Sequence, residues 1–382
     1  MSSHKNLTRY SQSLGASVTP PILVSNTFNY ASAPCLDSGA RLIYARQSNP
    51  ASYVLEHSMI DMDDAADAMA FSSGMAAVTT LFQSLKEGDT AIVPQTIYWP
   101  IKHWVERFAE HYRFGVNWVP DASPASILSG LTESTKLIWV ELIANPSLNV
   151  TDILRIASLK PADVLLAVDA TCSTPIVCKA LNFGADIVMY SGSKCLGGHN
   201  DLMAGLLTTK EETPFWQTIK DLRWLFGNGL GAMDSSKLNQ SLMTLGVRIK
   251  HSSESALRIA KHFDRHPLVE SVTYAGLESS SNHFLARTLF TDGLFGPLLG
   301  LNVKASVQGC QSICRAVTRW SNSTGYGAVY SQIEHRHEAE YCRSQSTENY
   351  LRLSVGLEPV EDLIADLEQA LDALVDDHIV AA

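Results

Sequence analysis

Lys194 stands in Tyr190-Ser191-Gly192-Ser193-Lys194-Cys195-Leu196-Gly197-Gly198-His199-Asn200-Asp201, an amine behind two hydroxyls and a glycine that runs into a Gly-Gly-His turn. The preceding Ala185-Asp186-Ile187-Val188-Met189 is apolar and β-prone, which predicts Lys194 at the end of a buried strand. Desolvation there disfavours the ammonium, lowers its pKa and makes the amine a Schiff-base candidate. The plain alternative is a lysine stem that snorkels to solvent. Asp169 poses a matching problem, because it ends the apolar run Val164 to Val168. A bare carboxylate there needs a cationic partner; a protonated ring nitrogen is one, a helix cap or a salt bridge another. Ser72-Ser73-Gly74-Met75 falls between a strand and a helix, where backbone amides and the helix dipole favour an anion. A cap without a ligand is the commoner meaning of that pattern. Arg46, in Tyr44-Ala45-Arg46, offers a fork of donors for a phosphate, or else a solvated loop arginine.

The elements that must position these groups alternate. Residues 1–50 read as an extended arm rich in Pro, Ser and Asn, with a short β-prone patch at Ile22-Leu23-Val24. From Val54 the apolar spacing turns helical, placing Val54, Leu55, Ser58, Met59 and Met62 on one face. Strands are expected at Ala68-Phe71, Thr90-Val93, Leu137-Val140, Val164-Val168 and ahead of Lys194, with helical segments between them. Near-continuous apolar strands separated by helices indicate a parallel sheet covered on both faces. The division expected is an arm over 1–50, a large domain over 51–235 and a smaller α/β domain over 236–382. Its last helix starts at Pro359, carries Glu361 and Asp362 in its first turn, and buries Leu363, Ile364, Leu367 and Leu371. Ligands of open α/β sheets gather outside the carboxyl ends of the strands. Ser73-Gly74, Asp169 and Lys194 therefore face one crevice: an anion cradle, a buried acid and a buried amine. Pyridoxal phosphate asks for those three things.

Composition narrows the partners. The 382-residue chain carries a net charge of −10, which argues against a nucleic-acid backbone or an anionic membrane as the main partner. Met1 to Thr8 lacks the apolar core of a signal peptide, and no apolar run is long enough to span a bilayer. Seven cysteines are scattered without a CxxC spacing, Cys310 and Cys314 being the closest pair. That is neither a disulfide framework nor a zinc site, so no metal is expected and the thiols read as reduced in a cytoplasmic protein.

These motifs, taken in order, resemble the pyridoxal-phosphate enzymes of Cys/Met metabolism, the trans-sulfuration family. Ser191-Gly192-Ser193-Lys194 with Gly198-His199-Asn200-Asp201 is similar to the family's lysine signature, with Ser193 in place of Thr and Cys195 in place of an aromatic. Tyr44 to Pro50 resembles the segment whose Tyr and Arg, here Tyr44 and Arg46, reach the phosphate of a neighbouring subunit's cofactor. Phe71 to Ala77 resembles the phosphate cup, which implies cofactor contacts from Ser73, Gly74 and Met75. Tyr98 matches the tyrosine stacked on the pyridine ring. Glu141-Leu142-Ile143-Ala144-Asn145-Pro146 resembles Glu-x-Pro-Ser-Asn-Pro and places Asn145 near substrate. Val168-Asp169-Ala170-Thr171 corresponds to Val-Asp-Asn-Thr, which puts Asp169 on the ring nitrogen and Thr171, Ser191 and Ser193 among the cofactor contacts. Tyr350 to Glu358 resembles the segment whose arginine, Arg352, pairs with the substrate α-carboxylate.

The resemblance implies an α/β chain of the aminotransferase-like fold (fold type I), with a mostly parallel central sheet. It further implies a homotetramer built as a dimer of dimers with shared active sites. Thr96-Ile97-Tyr98-Trp99-Pro100, Lys179 to Gly184 and Leu245-Gly246-Val247-Arg248 look most like the bacterial cystathionine β-lyase branch. The usual Ser-Leu-Gly-Gly-x-Glu-Ser loop corresponds to Asn322 to Ala328, which makes Asn322 a substrate-binding candidate. The implied chemistry is elimination from an L-amino acid to a 2-oxo acid and ammonia. Lys194 takes the Cα proton, Asp169 keeps the ring nitrogen protonated, and Arg352 grips the carboxylate. A γ-elimination or γ-replacement alternative needs an additional Cβ deprotonation, with Lys194 or Tyr98 as shuttle. Tyr98 is useful in either chemistry, because a nearby cation is expected to lower its phenol pKa.

Overall fold

The computed structural model describes residues 19–29, 42–291, 293–340 and 346–380. Seven strands form the larger sheet: β1 (Asp67–Phe71), β2 (Thr90–Pro94), β3 (Gly115–Val119), β4 (Thr135–Glu141), β5 (Leu165–Asp169), β6 (Ile187–Ser191) and β7 (Gly205–Thr209). Their order is β1-β7-β6-β5-β4-β2-β3. Only β7 runs against its neighbours, so β1, β5 and β6 all point their carboxyl ends at the same edge. Each expected strand is present. The edge strand β3 and the reversed β7 had not been expected, because Gly115-Val116-Asn117-Trp118-Val119 carries no continuous apolar run and Gly205-Leu206-Leu207-Thr208-Thr209 follows a turn.

Helices cover both faces, and the alternation of side chains along the strands sets what each face packs against. On one side Met69, Phe71, Leu137, Trp139 and Leu207 meet the helices Gly74–Gln83 and Trp99–Phe108. On the other side Ala70, Ile138, Val140, Val168 and Tyr190 meet Leu55 and Met59 of the helix Pro50–Asp63. That helix starts on a reciprocal cap: Asn49 Oδ1 accepts from Ser52 N, while Ser52 Oγ accepts from Asn49 N.

A second, five-stranded sheet is built from β8 (Val269–Thr273), β9 (Leu298–Val303), β10 (Ser321–Asn322), β11 (Gln332–His335) and β12 (Tyr350–Ser354), in the order β10-β11-β12-β9-β8. The helix Leu245–Phe263 links the two halves. Its Leu245 and Ile249 belong to the core of the first sheet, while Ala256, Ile259 and Phe263 belong to that of the second. The change of core thus falls inside this helix, and Leu238 and Leu242 of the preceding helix Ala232–Leu242 stay with the first core. The last helix, Val360–Val380, follows Pro359 and buries Leu363, Leu367 and Leu371 as expected, with Ile364 half-buried.

Of the arm, Thr19 to Asn29 and Leu42 to Asn49 are described. Ile22-Leu23-Val24 forms no strand; the pairing found is the single bridge Thr27 to Tyr44. Met1 to Thr8 lies outside the described residues.

Candidate active site

The site begins where three strands end. After β1 the chain turns through Ser73 into the helix Gly74–Gln83, and Ser73 Oγ caps it by accepting from Ala76 N at 3.0 Å. The cap reading of Ser73 therefore holds. It still leaves the first amides of the helix, those of Gly74 and Met75, without helical partners and beside a cavity. The turn sits close on β7: a Cβ at Gly205 would meet the Ser73 carbonyl oxygen at 2.1 Å. Glycine alone lets the two backbones approach this closely.

Asp169 ends β5, and its Oδ1 accepts from Thr171 N at 2.9 Å. Glu141, at the end of β4, is its direct cross-strand neighbour. Glu141 accepts from Tyr98 N at 2.6 Å and from Asn145 N at 2.9 Å, so one buried carboxyl fixes the backbone at two cavity residues. Burial raises the pKa of both carboxyls, and the Asp169 charge adds to the effect at Glu141. Lys194 follows β6 in a wide helical turn, Gly192–Leu196, with its own backbone off helical geometry (φ −99°, ψ −131°). Ser193 Oγ anchors that turn by accepting from Ala204 N at 3.0 Å, and Thr171 Oγ1 accepts from Ser191 N at 2.8 Å. The Lys194 amine is pushed below its ordinary pKa by burial first and by the Arg352 charge second.

From the second sheet, β12 brings in Arg352. Its Nη1 donates to Asn145 Oδ1 at 2.8 Å; its Nη2 donates to the Gly325 carbonyl at 2.9 Å and to Glu334 of β11. Both cations approach the Tyr326 ring, with Lys194 Nζ 5.2 Å and Arg352 Cζ 5.3 Å from its centroid. Gly327 makes this placement possible: at φ +81°, a Cβ there would meet Cys195 Sγ at 2.4 Å. Together these groups line a cavity of about 290 Å³.

Ser73, Gly74, Met75, Tyr98, Asn145, Asp169, Thr171, Ser191, Ser193, Lys194 and Arg352 all line that cavity, so eleven sequence-derived positions from six stretches of chain converge. Three do not. Asn322 is an exposed residue of the short strand β10, pinned to β11 by parallel pairing, and the loop reaches the cavity only from Thr324 to Tyr326. Asn322 thus stays outside the cavity of its own chain. Tyr44, 42% exposed, and Arg46, stacked 5.3 Å over its ring, stay outside the cavity of their own chain. The expected lowering of the Tyr98 phenol pKa is corrected. Arg336 and Arg352 do pull it down, but burial outweighs them and the phenol lies above its ordinary value.

Several cavity residues carried no role in the sequence reading: Glu141, Cys172, Tyr326, Arg336 and, behind them, Glu334. The charged run Glu334-His335-Arg336-His337-Glu338 was the available signal. Among the described residues, no cluster of His, Cys, Asp or Glu has the makings of a metal site.

The arrangement defines a class before any comparison: an α/β enzyme site with a helix-terminal anion cup, a buried acid, a desolvated lysine and a carboxylate-binding arginine. It fits pyridoxal phosphate: burial disfavours the charged form of Asp169, and a protonated ring nitrogen beside it would favour that form. The chain belongs to the family described as "Cys/Met metabolism PLP-dependent enzyme", which it matches over residues 5–372. It is 29% identical over 368 residues to the cystathionine β-lyase of Coxiella burnetii, covering 94% of each chain. It is 33% identical over 367 residues to the cystathionine γ-synthase of Mycobacterium tuberculosis, covering 93% of this chain and 92% of that one. Among solved structures, the cystathionine γ-synthase of Xanthomonas oryzae pv. oryzae, in complex with aminoacrylate and cysteine, superposes with a TM-score of 0.88 at 26% identity. That superposition covers 97% of this chain and 98% of the other. The fold is therefore the aminotransferase-like fold type I, and the cofactor is pyridoxal 5′-phosphate.

Proposed function

We propose that this enzyme eliminates a β-substituent, through a carbon–sulfur bond, from an L-amino acid to give a 2-oxo acid and ammonia. Bound pyridoxal phosphate supplies an electron sink for the pair left when the Cα proton is removed. The chain's residues do the rest. The Gly74 and Met75 amides, with the Ser73 turn, hold the phosphate. Asp169 holds a proton on the ring nitrogen, and Thr171 N–H keeps that carboxylate aimed. Arg352 receives the substrate carboxylate, steadied by Asn145, while Lys194 moves the Cα proton.

The observation that carries β- over γ-chemistry is the state of Tyr98. A γ-reaction needs a second proton removed, at Cβ, and the natural second base is this phenol. Burial holds that phenol above its ordinary pKa, away from what a base at neutral pH needs, whereas it holds the Lys194 amine below its own. The M. tuberculosis γ-synthase relative is the reason to test the alternative directly. Products decide: pyruvate with ammonia supports β-elimination, and a 2-oxo acid one carbon longer, from the same set of cystathionine, cysteine, methionine and homoserine derivatives, overturns it.

Two further parts belong to this reading. Tyr44 and Arg46 serve the cavity of a second copy, in a homotetramer built as a dimer of dimers; their exposure and absence from their own cavity support this. The setting is the reducing cytoplasm, supported by Cys172, Cys178, Cys195, Cys310 and Cys314, all free and buried. Among the described residues, no helix is long and apolar enough to cross a membrane.

A further inference from the structure

We infer that Glu334 is a resident carboxylate that substrate displaces from Arg352, and that Arg336 is the positioning residue that holds it once displaced. The inference rests on the role proposed above for Arg352. A guanidinium can take a carboxylate with two parallel bonds along only two edges, Nε–H with Nη2–H or Nη1–H with Nη2–H. Both edges need an Nη2 hydrogen. Both Nη2 hydrogens of Arg352 are already committed, one to the Gly325 carbonyl and one to Glu334 Oε2. Bidentate capture of an α-carboxylate therefore requires one acceptor to leave.

Gly325 is backbone in a left-handed turn (φ +104°), tied into the loop above Lys194. Glu334 is a side chain with a second cation already in reach, its Oε1 lying 3.2 Å from Arg336 Nη1. Glu334, Arg336 and Arg352 are each about 95% buried, so an anion expelled from Arg352 without another cation would be costly. The three side chains together carry one net positive charge, which one substrate carboxylate discharges. Arg336 also lines the cavity, together with Tyr98 and Arg352. Arg336 thus lets Glu334 guard Arg352 in the empty enzyme and still release it.

The test uses the holoenzyme, with KM and kcat for the best L-amino acid and the inhibition constant of propionate, a carboxylate with no amine and no leaving group. Arg336→Met should raise KM and the propionate constant about tenfold or more while changing kcat far less. Arg336→Lys should recover most of that loss. Adding Glu334→Gln to Arg336→Met should bring both constants back toward wild type, because the stranded anion is gone. Glu334→Gln alone should lower both constants, and this arm remains decisive if Arg336→Met fails to fold. An unchanged KM in folded Arg336→Met overturns the inference. So does a Glu334→Gln enzyme with a raised KM, which would make Glu334 a strut for Arg352. Failure of the parent reading looks different: wild-type holoenzyme would release no 2-oxo acid from any L-amino acid offered.

Discussion

The two sheets contribute different kinds of group to one cavity. In the function proposed above, the larger sheet delivers the reacting groups from the carboxyl ends of parallel strands: the Ser73 turn after β1, Asp169 from β5 and Lys194 after β6. The smaller sheet would deliver charge recognition through Glu334 of β11, Arg352 of β12 and Arg336, the residue that follows β11. The difference follows from topology. Parallel strands all point their ends one way and converge on a crevice, whereas the antiparallel β11–β12 pair sets Glu334 directly across from Arg352 and so builds a paired charge. Chemistry and recognition are thus separable by strand.

Substitutions test that separation, beginning where the effect is largest. Lys194→Ala should cut kcat by about 10⁴-fold or more and remove the cofactor's visible absorption band. Normal turnover in that variant would erase the larger sheet's role. Asp169→Asn should lower kcat on the order of 10²-fold with KM little changed, as read from steady-state rates. Arg352→Lys should do the reverse, raising KM by about 10- to 100-fold while sparing kcat, because a point charge cannot replace a fork. A kcat loss there as large as that of Asp169→Asn would break the division between the sheets.

The smallest effect belongs to a part of the larger sheet turned away from the cavity. Asp63, at the end of the helix Pro50–Asp63, is fully buried and accepts from the Tyr190 hydroxyl at 2.9 Å and Thr208 Oγ1 at 2.5 Å. Burial raises its pKa from 3.8 to about 7. The folded state therefore keeps a proton that the unfolded chain has lost between those values, so this group's contribution to stability falls as pH rises from 3.8 to about 7 and is flat beyond. Asp63→Asn should flatten that slope in urea unfolding, at about 1.4 kcal/mol for each tenfold change in proton affinity, and leave kcat and KM unaltered. A change in KM would show that the two faces of the sheet are coupled.

Much of this was legible along the chain. Lys194 and Asp169 each follow an apolar run that can only be a buried strand, and a titratable side chain at such a place needs a reason. Arg352 was legible through its family segment and Ser73-Gly74 through its capping pattern. Burial decided what those patterns left open. Tyr98 was expected to have a lowered pKa from the presence of cations, yet desolvation outweighs them, and desolvation is a property of packing. Asn322 was placed at the substrate by its position in a loop, and parallel pairing with β11 leaves it outside the cavity of its own chain.

What the sequence alone determined is the set of reactive groups and the strands that carry them, because strand periodicity and the cost of burying charge are local facts. What only the tertiary structure decided is which charges face each other. The Arg352–Glu334–Arg336 triad and the Tyr326 ring that both Lys194 and Arg352 approach join residues through strand register and loop packing. The pairing of 334 with 352 depends on β11 and β12 meeting in one register, and a slip of one residue would turn either side chain to the opposite face.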